Sequence, residues 1–333
     1  MHSVPDLGSI RFRSVRDAGS ALNATFAFLR ENARELATSY LALVVPVLLA
    51  SAISTVLWMS QVGDSLFNPS PDEPFAIFNW TYAGSVLFGM LGSTLMQASA
   101  SAYVRLYREG EAGHITMGVL WDEAKTLILP YIGMALLFFA VIFLTGVINI
   151  IPCLGAIAWV AFIVWVTPIY TVAIAARALE AGSVVDAWTR ARALVKDSWG
   201  FTAGTMFLAF MVLFVIYFAV SMVAGGLTAA MGANMIDPSQ SGFAMGIVFA
   251  PVQVVAGAIY LVPLVAAFFV HGRLVEDLEG TTLTDDLDAL ATGFDVPRST
   301  PPASTPPVPP SRTDSDDDED GPPSSGFRGG GFG

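Results

Sequence analysis

"LILPYIGMALLFFAVIFLTGVINIIPCLGAIAWVAFIVWVTPIYTVAIAAR", residues 127–177, meets no charged side chain until its last residue, Arg177. About 20 apolar residues in helical form cross a ~30 Å hydrocarbon core. This stretch holds two such spans, 127–151 and 153–177. Pro152 in "IIPCLG" offers no backbone donor and crowds the preceding turn, so it breaks the run into a tight helical hairpin. Four more runs of similar length lie at about 37–59, 82–104, 201–224 and 247–271. The expected fold is all-α: a polytopic membrane protein with six transmembrane helices.

Composition leads to the same class. Of 333 residues, 54% are hydrophobic and 13% charged, and the mean hydropathy is +0.62. A water-soluble domain uses roughly a quarter charged residues to coat its surface. Lipid is therefore the solvent expected for most of the chain. The net charge of −12 does not mark an acidic binding face, because the run "DSDDDED" at 314–320 supplies much of it. No nucleic-acid partner is expected. Cys153, the one cysteine, has no partner for a disulfide and no metal-ligand spacing. The first apolar run begins near Ala37, too late for a cleaved signal peptide, so the first span is expected to stay as an anchor.

The basic residues set the orientation. Arg11, Arg13, Arg16, Arg30 and Arg34 precede span 1, and Arg105, Arg108 and Lys125 follow span 2. Arg177, Arg190, Arg192 and Lys196 follow span 4. Arg273, Arg298, Arg312 and Arg328 follow span 6, which accounts for all 16 Lys and Arg. The opposite turns, 60–81, the one at Pro152 and 225–246, hold none. Positive charge stays on the cytoplasmic side, so both termini are expected in the cytoplasm of a multi-pass protein of the cell (inner) membrane.

A repeat underlies this topology. Glu-Ala-Gly at 111–113 recurs at 180–182, and "LEGTTLTDDLDAL" at 278–290 echoes it. After the glycine, Ser183-Val-Val-Asp186 has the form of a capping box, as do Ser14-Val-Arg-Asp17 and Thr282-Leu-Thr-Asp285. Val184, Ala187, Trp188, Ala191, Leu194 and Val195 then recur at helical period, with charges between them. That is the pattern of a helix lying in the membrane interface. The chain thus reads as a segment 1–12, then a membrane domain over 13–292. The domain comprises three hairpin units, about 13–104, 114–177 and 183–271, each led by a cytoplasmic amphipathic helix, plus a short helix at 281–292. Residues 293–333, proline-rich, acidic and then glycine-rich, cannot bury a core and are expected to be disordered.

Two segments resemble a known family. In "SVRDAGSALNATFAFLRENARELATSYLALVVPVLLA", Phe26, Leu29, Arg30, Asn32 and Pro46 fall as in the opening helix of the six-span bacterial proteins named for the glycerophosphoryl diester phosphodiesterase membrane domain. "LEAGSVVDAWTRARALVK" matches with Ser183, Asp186, Ala187 and Trp188. The likeness spans about residues 10–285 and implies a six-span bundle of unknown function. Some relatives fuse this part to a catalytic barrel carrying His-Arg-Gly. Here "HGR" at 271–273 has the wrong order, so the enzymatic half of the family name is not carried over.

Candidate chemistry is sparse. An ion-coupled transporter keeps ionisable groups inside its spans, and the six cores hold none. Gln97, Asn149 and Gln253 could orient a solute or could hydrogen-bond between helices. Ser85, Gly89 and Ser93 in span 2, with Gly242, Gly246 and Ala250 in span 6, repeat every four residues. Small residues at this period allow close helix packing, though the same stripe could line a pore. Pro46, Pro130, Pro168, Pro251 and Pro263 kink spans without ending them. Trp58, Trp80, Trp121, Trp188 and Trp199 lie where an aromatic belt would. His114, among Glu109, Glu111, Asp122 and Glu123, lacks the ligands of a transition-metal site. No nucleophile, phosphate-loop or nucleotide motif occurs, so neither cofactor nor catalysis is expected. The expectation is a non-enzymatic protein that organises membrane lipid or a protein partner at the cytoplasmic face. Trp121, Trp188, Arg190, Arg192 and Lys196 would contact headgroups, and the tail would offer a cytoplasmic docking segment. A transporter or channel for an uncharged or lipid-like solute is the alternative.

Overall fold

A computed structural model describes residues 10–67, 78–110, 114–146, 154–180, 182–232 and 238–280. All lie in the first of two compact units, 1–284, the second being 285–333. The expected turn at Pro152, the short helix 281–292, its capping sequence at Thr282 and the tail fall outside the described residues. Every regular element described is helical: α1 (Ala18–Glu31), α2 (Ala33–Ser39), a π-helical turn (Tyr40–Val44), α3 (Val45–Phe67), α4 (Trp80–Arg108), α5 (Met117–Gly146), α6 (Leu154–Leu179), α7 (Val184–Lys196), α8 (Trp199–Gly232), α9 (Pro238–Ile259) and α10 (Leu261–Glu279).

Prolines explain the irregular turns. Pro46 has no N–H to give and its ring would press on the carbonyl four residues back. Directly ahead of it the chain loosens into the π turn, whose last bond runs from the Val45 N–H to the Tyr40 carbonyl. Pro263 acts likewise: the helix breaks at Tyr260 and restarts as α10. Pro130, Pro168 and Pro251 lie inside continuous helices. Asp17, not Ser14, caps α1 by accepting from the Ser20 N–H, so the expected box at 14–17 forms no helix start. Its residues instead run as irregular chain into the bundle, and Phe12 ends there only 1% exposed. The packed domain therefore reaches upstream of residue 13.

Contacts fix the directions of the helices. On α3 and α4, Gln61 meets Asn79, Trp58 meets Tyr82, Ser51 donates to the Ser85 carbonyl, and Leu48 lies over Gly92. The two run antiparallel. On its other side α3 packs antiparallel to α9, where Val56 opposes Gly246, Ser51 bonds Gln253, and Tyr40 donates to the Val254 carbonyl. Arg105 with Glu123 and Ser101 with Tyr131 set α4 against α5. Phe138 stacked on Tyr170, ring centroids 4.2 Å apart, sets α5 against α6.

Among the described residues, five stretches are long and apolar enough to cross a membrane: Ala33–Val62, Met117–Gly146, Gly155–Leu179, Trp199–Leu227 and Gly246–Glu279. The chain is thus a multi-pass helical membrane protein by length and composition. The expected second span, 82–104, falls on α4, which is not among the five. Its serines, glycines and Gln97 lower its hydropathy, and from Thr94 to Val104 it is buried within the protein. Only 11% of the most apolar window of Trp199–Leu227 is buried, against 56% for Gly246–Glu279. α8 is peripheral, and α10 is a central helix.

Candidate functional site

The described charged side chains gather where α4, α6 and α10 end and where α5 and α7 begin. There the chain after α6 turns on Gly182 into α7. Ser183 Oγ accepts from the Asp186 N–H at 3.2 Å, and Asp186 Oδ2 accepts from the Ser183 N–H at 2.9 Å. The expected capping box is present in full. The Ser183 N–H and the Ser183 hydroxyl, which donates to the same Oδ2 at 2.8 Å, hold the Asp186 carboxyl below its ordinary range.

Arg190, one helical stretch later, is a clamp. Its Nε donates to Glu180 Oε2 at 3.1 Å and its Nη2 to Glu279 Oε1 at 2.6 Å. One guanidinium thereby ties α7 to the ends of α6 and α10, a fork geometry suited to paired carboxylates. Burial works against its charge, but the two carboxylates more than offset it and raise its pKa. His271, 3% exposed on α10, sets Nε2 3.0 Å from Glu180 Oε1. Burial pushes the Glu180 carboxyl up; the His271 bond and the Arg190 charge outweigh this and leave it below its ordinary value. The echo of Glu before Gly at 180–182 and 278–280 therefore has a structural content: it supplies both carboxylates of the clamp. Glu111, the third, lies outside the described residues.

A second knot joins the N-terminal segment to α10. Phe12 stacks on Phe269 at 4.5 Å and meets Phe28 and Tyr107 edge-on, arrangements that rings favour beyond simple burial. Arg273 donates to the Arg16 carbonyl and lies 3.8 Å from the centre of the Phe201 ring. Arg105 bridges Glu109 and Glu123.

Between α6 and α7 lies a cavity of about 230 Å³, lined by Arg177, Glu180, Gly182, Ser183, Asp186 and Arg190 with two alanines. Arg177 is one of its lining residues, and the Arg177 Nε is buried and meets no hydrogen-bond acceptor among the described residues.

The sequence-derived residues are placed as follows. Arg192 and Lys196 stand exposed on α7, and Trp121, on α5, is 41% exposed. Trp188 is half-buried against the core, and Arg190 is engaged in the clamp. Gly89 lets Ser51 approach, and a Cβ at Gly246 would lie 2.7 Å from Val56 Cα, so both sit where helices touch. Ser85 accepts from Ser51 through its carbonyl, while Ser93 is exposed and bonds its own helix. Ala250 is partly buried on α9; the surroundings of Gly242 lie outside those described. Gln253 donates to Ser51 Oγ and Gln97 is buried beside Tyr170. Phe12, Glu180, Glu279 and Arg177 carried no site signal in the sequence beyond the repeated glutamate. Among the described residues no group of three His, Cys, Asp or Glu could hold a metal ion.

Compared with protein-family models, curated proteins and solved structures, the chain matches none of them. The family likeness over residues 10–285 therefore rests on the quoted residues alone.

Proposed function

We propose that this is a non-enzymatic protein of the cell (inner) membrane, six-span with both termini cytoplasmic, that holds lipid headgroups against a rigid charged platform. The observation that carries this reading is α7. Its inner face, Ala187, Ala191, Leu194 and Val195, is buried, while Val185, Arg192 and Lys196 point outward from a helix held at its start by the capping box and at its middle by the Arg190 clamp. A locked helix with exposed cations and apolar side chains is what an interfacial lipid contact requires. Locking matters because a mobile cation gains little from an exposed anion. Membership of the phosphodiesterase membrane-domain family is part of the same proposal, as is a cytoplasmic partner for the tail.

The test is lipid retention. Full-length protein extracted in mild detergent should carry measurable phospholipid, and the R192E/K196E double variant should carry several-fold less. Equal retention by both would overturn the reading. The solute-carrier alternative would show as flux in proteoliposomes.

A further inference from the structure

We infer that the cavity between α6 and α7 is a binding site for a zwitterionic ligand joining a phosphate to an ammonium, the chemistry of an ethanolamine phospholipid headgroup or of free phosphoethanolamine. The inference deepens, and rests on, the reading of this end as the lipid-contacting one.

The first observation is the orphan donor. Buried N–H groups are almost always paired, and one left without an acceptor costs more when it carries charge. Arg177 Nε is such a donor, closed off inside the protein, and the Arg177 side chain lines the cavity with no hydrogen bond or ion pair of its own among the described residues. Arg190, the other guanidinium there, already gives Nε and Nη2 to Glu180 and Glu279. An incoming anionic oxygen would therefore find its donor at Arg177. Phosphate is the anion that best fits a guanidinium fork at a membrane surface.

The second observation is the opposite wall. Glu180 and Asp186 both line the cavity. The hydrogen bonds of Asp186 within the capping box all reach Oδ2, which leaves Oδ1 to accept from a cation. A purely anionic headgroup would meet repulsion here, whereas an ammonium a few bonds from the phosphate would meet Asp186. Size agrees: about 230 Å³ is below the roughly 300–1,000 Å³ of pockets for drug-sized molecules. A headgroup fits inside, and its acyl chains would lie along the apolar stretch that ends at Leu179.

The experiment uses the full chain in detergent micelles doped with phosphatidylethanolamine, or with phosphatidylglycerol, read by native mass spectrometry. Wild type should retain phosphatidylethanolamine over phosphatidylglycerol. R177Q should lose about tenfold of that retention, the scale of one charge-assisted bond. The exposed D186N variant should keep its fold and lose the preference between the two lipids. K125Q, an exposed side chain on α5 outside the cavity and the α7 platform, should change neither ratio. A second arm measures thermal protection by soluble phosphoethanolamine. Protection that vanishes in R177Q, without retention of the lipid, assigns the site to the soluble molecule; retention without protection assigns it to the lipid. Unchanged ratios in both D186N and a folded R177Q overturn the site. If lipid is still lost from R192E/K196E, the platform reading survives that result; if it is not, both fall.

Discussion

Glu180 sits between a buried imidazole and a guanidinium, and its carboxyl is held below its ordinary value of 4.5. A carboxylate with a lowered folded-state pKa contributes stability that is present above the ordinary value and lost as pH falls through the folded one. Thermal unfolding of the wild type should thus drop faster below pH 4.5 than that of E180Q, and the two curves should run parallel between pH 6 and 8. Curves parallel down to pH 3 would show that Glu180 is not so held. E180Q should be less stable at neutral pH, because it strips half the clamp from Arg190 and the partner from His271. At the neighbouring knot, Gly272 has no room for a side chain: a Cβ there would collide with the Phe12 carbonyl oxygen. G272A should force the N-terminal segment outward at a cost of about 1–3 kcal/mol. F12A, which empties a fully buried ring site, should cost about 3–5 kcal/mol. Intact stability in both, by detergent-phase melting, would remove Phe12 from the core.

Elements were legible where one segment's chemistry decides its own shape. Ser183 and Asp186 sit three apart ahead of a periodic apolar stripe, and α7 begins there with its capping box complete. S183A should weaken α7 by about 1 kcal/mol and loosen Arg190 from Glu180, seen as faster amide exchange across 184–190. Ser14 and Asp17 have the same spacing, but no helix forms between them, because Phe12 and Arg16 are drawn into the bundle by Phe269 and Arg273. That is a tertiary preference, and no local pattern encodes it. The π turn at 40–44 and the break at Tyr260 are similar cases. Pro46 and Pro263 signal a defect, yet whether it becomes a kink, a π turn or a break depends on the neighbouring helix. Of the small-residue stripes, Gly246 and Gly89 face a neighbour while Ser93 faces outward, since a period of four drifts around a helix of 3.6 residues per turn. G246V should separate α3 from α9 and lower stability by at least about 1–3 kcal/mol. The cavity at Arg177 had no sequence signal, because it is formed by two helices meeting.

At the scale of the whole membrane unit, the decisive feature is that the described Lys and Arg side chains lie at one end. Arg105 pairs with Glu123, Arg190 with Glu180 and Glu279, and Arg273 bonds the Arg16 carbonyl. These links gather five helix ends and the N-terminal segment onto one face. The far halves of α5, α6 and α8 expose Phe139, Phe143, Ile157, Val160, Phe214 and Val215, an apolar surface suited to lipid. The basic residues of that one face, set against turns at 60–81 and 225–246 without any, carry the orientation argument. Among the described residues five stretches have the hydropathy of spans and α4 does not, so the position of α4 decides whether the first turn lies across the membrane. Buried against α3 and α5, α4 does not need hydropathy of its own to sit at membrane depth, because protein instead of lipid surrounds its polar side chains. Reporter fusions at positions 70 and 235 should both report from the side opposite the termini, and a fusion at 110 from the same side as the termini. If α4 did not cross, the fusions at 70 and 110 would report from one side together. A cytoplasmic signal at 235 would overturn the six-span arrangement outright.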